Sequence, residues 1–289
     1  MERFCWWLEN EEEPPLALST LTPNCIRTFL AYVREPNPNG RFGCERESAK
    51  REARPATVNA YFRALRAFAN FCRAEGLLDE TPLKNVKAPR VPVDQVQPLA
   101  PDQLQTLVDA ARRTQASERN VALILLLVDT GMRCSELCGL LVGDADRGTG
   151  ELTVTGKGNK KRRVYMGTAT RRALWRYLET DRRDAFTDEP LFVSVGGHAR
   201  GTGMTHTGVH RIIHEAGKAG RIQGVRCSPH TLRHTFAVNF LRGGGNLFEL
   251  QQLMGHTDLT VLRRYVALAD TDLAEAHRAA SPVERLKLR

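Results

Sequence analysis

The length, composition and charge of the chain narrow the possible classes of protein. A chain of 289 residues that is 42% hydrophobic and 26% charged is expected to form about two globular domains. The longest apolar run, Val121–Val128, is too short to span a membrane, and Met1–Asn10 carries no secretory signal pattern. A formal net charge of +9 favours a nucleic-acid partner, although a merely basic protein would share it. Seven scattered cysteines argue against a disulfide framework, so we expect a cytoplasmic protein.

The first part of the chain is predicted to be helical. A helix over 25–33 follows the start signal Thr22-Pro23, because proline suits the first turn of a helix. The Pro- and Gly-rich stretch Pro36–Arg54 is predicted to be a flexible loop or an insertion. A long helix is predicted over 56–75, ended by Gly76.

This long helix has an apolar face and a separate basic stripe. The apolar residues recur at steps of four, three and four, which predicts one buried face: Tyr61, Leu65, Phe68 and Cys72. The basic stripe is either a solvated surface or a surface that contacts DNA phosphates, and its members are Arg63, Arg66 and Arg73.

The second part of the chain combines helices with one short hairpin. A proline-rich stretch over 88–100 predicts an extended linker that precedes it. Short alternating strands at 151–155 and 162–166 flank the turn Gly156–Asn159 and predict an antiparallel β-hairpin. Helices are predicted over 102–113, 118–130, 133–141, 168–182, 205–219, 229–243, 246–254, 258–268 and 271–280. The predicted fold class is therefore mainly α, with a small antiparallel β-sheet in the second domain.

Five short motifs follow one another in this second part. They are Thr130-Gly131-Met132-Arg133-Cys134-Ser135-Glu136-Leu137, the turn residue Lys157, Pro229-His230-Thr231-Leu232-Arg233-His234-Thr235, Gly255-His256, and Tyr265. Each alone has an ordinary explanation, such as an exposed turn lysine, a helix-start histidine or a half-buried tyrosine. Their order and spacing, with the tyrosine nine residues after the histidine, are far more specific than any one of them.

In these motifs the chain resembles the tyrosine recombinase (phage integrase) family, and in particular its Xer-like bacterial members. The resemblance implies a helical core-binding domain of SAM-like fold over 1–87, the linker over 88–100, and a mixed helical catalytic domain over 101–289. The implied function is site-specific DNA recombination through a 3′-phosphotyrosyl intermediate, in DNA integration or excision or in chromosome-dimer resolution. The resemblance implies no metal and no other cofactor.

The chemistry of phosphodiester cleavage accounts for the residue types that the resemblance assigns. A guanidinium is planar, permanently charged and able to bind two oxygens at once, so Arg133 and Arg233 would hold the scissile phosphate. Tyr265 would attack the phosphorus and release a 5′-hydroxyl, and reversal by another 5′-hydroxyl would rejoin the strand. Glu136 lies one helical turn after Arg133. Together with His234 it would hold these groups in position.

Three further residues are implied to move or hold protons. Lys157, flanked by glycines at the hairpin apex, would be the general acid for the departing 5′-oxygen, with Lys160 and Lys161 as rival candidates. His230 would accept and return the proton of the nucleophile, and His256 would donate a hydrogen bond to a phosphate oxygen.

The resemblance also implies the partners. These are double-stranded DNA with an inverted-repeat core site, and further copies of the chain, with a dimer on each site and a tetramer in the synapse. Accessory proteins or a second recombinase could take part. Besides the basic stripe of the long helix, the predicted DNA contacts lie in the hairpin and in the helix over 205–219, for which a merely solvated surface is the alternative: Lys160, Lys161, Arg162, Thr205, His210 and Arg211.

Two other functions stay open on the sequence alone. A type IB topoisomerase would use the same arginine, lysine, histidine and tyrosine chemistry, but the chain length and the Xer-like N-terminal pattern disfavour it. A DNA-binding protein without catalytic activity could keep the same scaffold, but every catalytic position is filled, which disfavours decay.

Overall fold

The computed structural model describes residues 1–11, 17–92, 97–156, 158–196, 199–255 and 265. The chain divides into two units, Met1–Asp94 and Gln95–Arg289, and the division falls inside the stretch 88–100. The end of that stretch already belongs to the second unit, because the backbone N–H of buried Leu99 donates to Thr235 Oγ1 at 2.9 Å.

The first unit is a small helical domain around an aromatic core. Thr22 caps its second helix as the sequence predicts, since its hydroxyl oxygen accepts from the Cys25 N–H at 3.2 Å. The Phe4 and Phe29 rings meet edge to face at 4.9 Å, so the first helix is packed into the core by aromatic contacts. The helices of this unit are α1 (Glu2–Glu11), α2 (Pro23–Arg34), α3 (Glu47–Lys50) and α4 (Pro55–Ala74).

The stretch 36–54 is more regular than the sequence predicts. It contains a 3₁₀ turn over Arg41–Gly43 as well as α3. The Arg41 side chain is buried and donates to the carbonyl oxygens of Glu35, Ser48 and Arg51. One guanidinium therefore ties together both ends of the stretch, which corrects the expectation of a flexible loop.

The described part of the second unit contains seven helices and the predicted hairpin. Strands β1 (Glu151–Thr155) and β2 (Lys161–Tyr165) are antiparallel, with Val154 opposite Arg162 and Leu152 opposite Val164. The helices are α5 (Pro101–Arg112), α6 (Ser117–Thr130), α7 (Cys134–Cys138), α8 (Thr168–Asp181), α9 (His206–Ala219), α10 (Pro229–Arg242) and α11 (Leu247–Met254). The helices predicted over 258–268 and 271–280 lie outside the described residues, apart from Tyr265, which is helical.

Helix α6 forms the centre of the second unit. It packs against α5, α8 and α10, and the side chains of Ala122, Leu123, Ile124, Leu126 and Leu127 have no exposed surface. A helix packed against three others is fixed in position, and so is the chain that leaves its C-terminus at the Thr130-Gly131 motif.

Helix α7 is shorter than the predicted 133–141. It ends at Cys138 with Gly139 as its C-cap, after which the chain is extended, and the Leu140 carbonyl accepts from the Leu191 N–H at 2.8 Å. A tertiary hydrogen bond thus replaces the next helical turn.

We expect Gly131→Ala to destabilise the second unit through two separate effects. Gly131 has φ +60°, which costs a residue with a side chain roughly 1–2 kcal/mol. A Cβ atom there would also overlap Cδ1 of Phe236, and such overpacking costs about 1–3 kcal/mol more. Urea unfolding of the variant measures the sum.

The matched control is Gly224→Ala. Gly224 has φ +78° but no atom within 4 Å of the added Cβ, so only the backbone cost applies. Equal losses of unfolding free energy in both variants would contradict the proposed contact with Phe236.

Candidate active site

Arg133 stands between helices α6 and α7, where Gly131 ends the first helix in a left-handed conformation. Its guanidinium donates to Glu136 Oε1 at 3.0 Å, to the Met254 carbonyl at 3.4 Å and to the Gly255 carbonyl at 3.2 Å. The side chain nevertheless remains 40% exposed. Arg133 is therefore held in place while one side stays open to solvent.

Arg233, in the second turn of α10, is the buried counterpart of Arg133. It is 4% exposed, and its guanidinium donates to the Gly131 carbonyl and, at 2.9 Å, to the Met254 carbonyl. Burial and the nearby Arg133 charge lower the pKa of Arg233 to about 10, so the group stays charged at neutral pH. The two predicted phosphate-binding arginines thus share one acceptor, the Met254 oxygen.

The C-terminus of α11 provides the acceptors on which these arginines meet. The last carbonyls of a helix have no partner within the helix and carry its negative dipole end. Here the carbonyls of Leu253, Met254 and Gly255 accept from Arg162, Arg133 and Arg233. Helix α11 therefore fixes the cationic cluster without contributing a charged side chain.

Glu136 is the carboxylate at the centre of this cluster. Its side chain is 3% exposed, and it accepts from the Arg133 N–H at 2.6 Å and from Arg162 at 2.7 and 2.8 Å. Burial alone would raise the pKa of Glu136, but the Arg162 and Arg133 hydrogen bonds outweigh it and lower that pKa below its ordinary value. The predicted supporting position behind Arg133 is thus occupied by an ionised carboxylate.

Arg162 does not occupy the position that the sequence analysis gave it. It was predicted to contact DNA with Lys160 and Lys161, yet its side chain is 15% exposed and all its guanidinium nitrogens are engaged within the protein. The reason is strand alternation: Arg162 lies on the inner face of β2 together with Val164. Lys160 and Lys161 are exposed, as expected for DNA contacts.

His230, His234 and Tyr265 form a row of rings beside Arg233. The His230 and His234 centroids are 4.5 Å apart, and those of His234 and Tyr265 are 5.2 Å apart. Reduced solvation and the Arg233 charge lower the pKa of His230, so its ring is neutral at neutral pH and able to accept a proton. Tyr265 is 4% exposed, in an apolar cluster with Phe236 and with other residues of α10 and α11. It also influences the ionisation of Arg233 electrostatically.

Two predicted catalytic residues, Lys157 and His256, lie outside the described residues. Their described neighbours border the cluster. A Cβ atom on Gly156 would lie 3.4 Å from Glu136 Oε1, and one on Gly255 would lie 3.2 Å from Arg162 Nη1. Both glycines leave room for the side chains of the cluster.

The remaining predicted DNA contacts are distributed over both units. On α4, the arginine stripe is exposed, opposite the buried residues Leu65 and Cys72: Arg63, Arg66 and Arg73. On α9, the Thr205 hydroxyl oxygen accepts from the Gly208 N–H at 3.1 Å and so caps the helix, and Arg211 is exposed. Burial and the charge of Arg226 lower the pKa of His210, which leaves it uncharged at neutral pH.

Two kinds of group in this site were missed by the sequence analysis. The carbonyls of α11 could not be found from residue identity, because every residue carries one. The inward direction of Arg162 could have been found, since it stands two residues before Val164 in an alternating strand.

No group of three or more metal-binding side chains occurs within the described ranges. Among the described helices, none is long and apolar enough to cross a membrane.

We expect the stability contributed by Glu136 to depend on pH in one direction. Because its folded-state pKa is lowered, the contribution is fully present above the ordinary glutamate pKa of about 4.3 and is lost as pH falls through the folded-state value. Glu136→Gln should cost about 3–5 kcal/mol near neutral pH, since it leaves buried arginine charge uncompensated. Unfolding free energies of both proteins, measured from pH 7 down to acid, should converge; a constant difference would contradict this.

Residues 97–272 match the phage integrase family. The chain is 32% identical over 235 residues to the tyrosine recombinase XerC of Shewanella amazonensis, covering 81% of this chain and 77% of the relative. It is 33% identical over 229 residues to XerC of Corynebacterium glutamicum, covering 78% and 72%.

Solved structures agree with the fold. XerA recombinase is similar with a TM-score of 0.55 and 25% identity over 97% of this chain and 90% of its own. The Tn1549 transposon integrase, in complex with a circular intermediate DNA, has a TM-score of 0.71 and 19% identity over 96% and 90%. XerH recombinase bound to a palindromic difH substrate has a TM-score of 0.67 and 18% identity over 96% and 77%. The chain belongs to the phage integrase family and is a tyrosine-type site-specific DNA recombinase.

Proposed function

We propose that this chain recombines DNA by forming a covalent bond between Tyr265 and a 3′-phosphate. The observation that carries the proposal is that Arg133 and Arg233 donate to the same Met254 oxygen, at 3.4 and 2.9 Å. Two guanidiniums on one acceptor form a preorganised cationic pair, which suits the charge that develops on the non-bridging oxygens of a reacting phosphate. Tyr265 lies close enough to influence the ionisation of Arg233.

The proposed reaction exchanges one ester for another. The Tyr265 oxygen attacks phosphorus while His230, neutral because of its lowered pKa, accepts the phenol proton. The bond from phosphorus to the 5′-oxygen breaks, and that oxygen takes a proton from Lys157. His256 donates a hydrogen bond to the phosphate; like the role of Lys157, this role rests on the sequence. The tyrosyl ester retains the bond energy, so attack by another 5′-hydroxyl rejoins the strand without a nucleotide or a metal.

The proposed DNA contacts are exposed basic and polar residues of both units. Residues 1–87 are proposed as the core-binding domain, 88–100 as the linker and 101–289 as the catalytic domain. The contacts are Arg63, Arg66, Arg73, Lys160, Lys161, Thr205, His210 and Arg211, all of them at least partly exposed.

We also propose that two copies bind an inverted-repeat site and that four form the synapse, in the cytoplasm. XerH is bound to a palindromic substrate, and lambda integrase 75–356 is bound to its core site as a dimer, which supports this assembly.

Replacing the nucleophile should abolish covalent capture of DNA but not DNA binding. Tyr265→Phe removes only the hydroxyl and keeps the ring in its apolar cluster. Wild-type protein is incubated with sheared genomic DNA and denatured in SDS, and the DNA linked to protein is sequenced. The wild type should trap a discrete site, and the variant should trap none.

Other results of the capture experiment would favour one of the alternative functions or another nucleophile. Trapping by Tyr265→Phe would show that another residue is the nucleophile. Tight binding without trapping by the wild type would favour a protein that only binds DNA. Transfer of the trapped strand to a second duplex separates recombination from topoisomerase-like relaxation.

Arg233→Lys should slow cleavage about 10²–10³-fold, because a lysine cannot bridge two carbonyls and present a planar donor to phosphate. The measurement is the single-turnover rate at saturating DNA. Arg182→Lys is the control: Arg182 likewise bridges an acceptor pair, Glu189 and the Pro190 carbonyl, at 2.6 and 3.1 Å. Similar slowing in both variants would contradict a specific role for Arg233.

A further inference from the structure

The carboxylate of Glu136 accepts unequal numbers of side-chain hydrogen bonds from two arginines. Arg162 binds both oxygens, with Nη1 at 2.7 Å from Oε1 and Nη2 at 2.8 Å from Oε2. The Arg133 side chain reaches only Oε1, at 3.0 Å. Paired parallel bonds of this kind are the strongest arrangement between a guanidinium and a carboxylate. Arg162 is therefore the main side-chain partner of Glu136.

The two arginines also differ in exposure. The Arg162 side chain is 15% exposed and that of Arg133 is 40% exposed, against 3% for the carboxylate between them. Arg162 faces the interior, and Arg133 keeps one side towards solvent, where a phosphate would bind.

We propose that Arg162 is a positioning residue that occupies the Glu136 carboxylate and thereby leaves Arg133 available for the scissile phosphate. The proposal rests on the proposed function, in which Arg133 binds that phosphate. It adds a role for a residue that would not touch DNA itself.

The physical reason is competition between two anions for one guanidinium. Carboxylates and phosphates are both bound bidentately by arginine. If Arg162 were absent, Arg133 would be the remaining cation that hydrogen-bonds to Glu136 among the described residues, since it already donates through its N–H and its Nη1. A second bond from Arg133 to the carboxylate would satisfy the buried charge, and it would turn the guanidinium away from DNA.

A third contact makes arginine the required residue type. Arg162 Nε donates to the Leu253 carbonyl at 2.9 Å, so the side chain joins strand β2, helix α7 and the end of α11. A lysine ammonium could not reach both carboxylate oxygens and that carbonyl in one plane.

The test is a double-variant cycle read as cleavage rate. On the DNA site captured by the wild type, Arg162→Met should slow single-turnover cleavage at saturating DNA by at least about tenfold, as expected for a misplaced catalytic group. Adding Glu136→Gln removes the competing charge, so the double variant should cleave faster than Arg162→Met alone. A double variant as slow as the single one, or an unimpaired Arg162→Met, would overturn the proposal.

A matched control separates positioning from stability. Arg182→Met breaks another partly buried ion pair, Arg182–Glu189 at 2.6 Å, in the stretch that follows helix α8. It should lower the melting temperature as Arg162→Met does, but leave the cleavage rate of the folded protein unchanged. Equal slowing in both variants would assign the effect to stability and overturn the proposal.

A crystal structure of Arg162→Met provides a readout that does not depend on cleavage. It should show two side-chain bonds from Arg133 to Glu136, in place of the one at 3.0 Å. An unchanged Arg133 would overturn the proposal even in an active enzyme. Failure of the wild type to cleave any DNA would instead refute the proposed function, and the crystal structure would still decide how Glu136 is shared.

Discussion

The candidate site depends on three guanidiniums, those of Arg133, Arg162 and Arg233, which meet at the C-terminus of α11. Like charges at this distance repel, and they stay together only because acceptors surround them. The C-terminal carbonyls of α11, the Gly131 carbonyl and the carboxylate of Glu136 supply those acceptors. Among the described residues, one carboxylate faces these three cations, so this part of the cluster has a net positive charge. That residual charge is what a phosphate diester would neutralise on binding.

The cluster also joins parts of the chain that are far apart in sequence. Arg133 comes from the end of the central helix α6, Arg162 from the hairpin, and Arg233 from α10, which carries His230 and His234 as well. A change in any one of these elements moves the acceptor or the charge that another relies on. This explains why the motifs are short and widely spaced, since each supplies one part of a shared network.

The sequence predicted the elements better than the contacts among them. Hydrophobic periodicity and capping signals located most helices of the described part to within a residue or two, and motif order identified two of the three arginines that converge. Local signals failed where a distant partner decides the structure. Arg41 organises the stretch 36–54 through carbonyls up to ten residues away, and α7 stops early because Leu140 pairs with Leu191. Arg162 looked like one more surface cation in a basic run, although strand alternation places it inside.

The burial of the Tyr265 side chain has a consequence for how selectively the protein would cut DNA. A tyrosine that is 4% exposed offers little of its surface to a passing duplex, whatever the strength of the cationic cluster beside it. If Tyr265 is the nucleophile, as proposed, contact with DNA and commitment to break it are separate events, and the free energy needed to uncover the ring sets a threshold between them. Sequences that bind weakly would supply too little energy to cross that threshold. A basic protein that meets the whole genome by charge alone would in this way leave nearly all of it uncut.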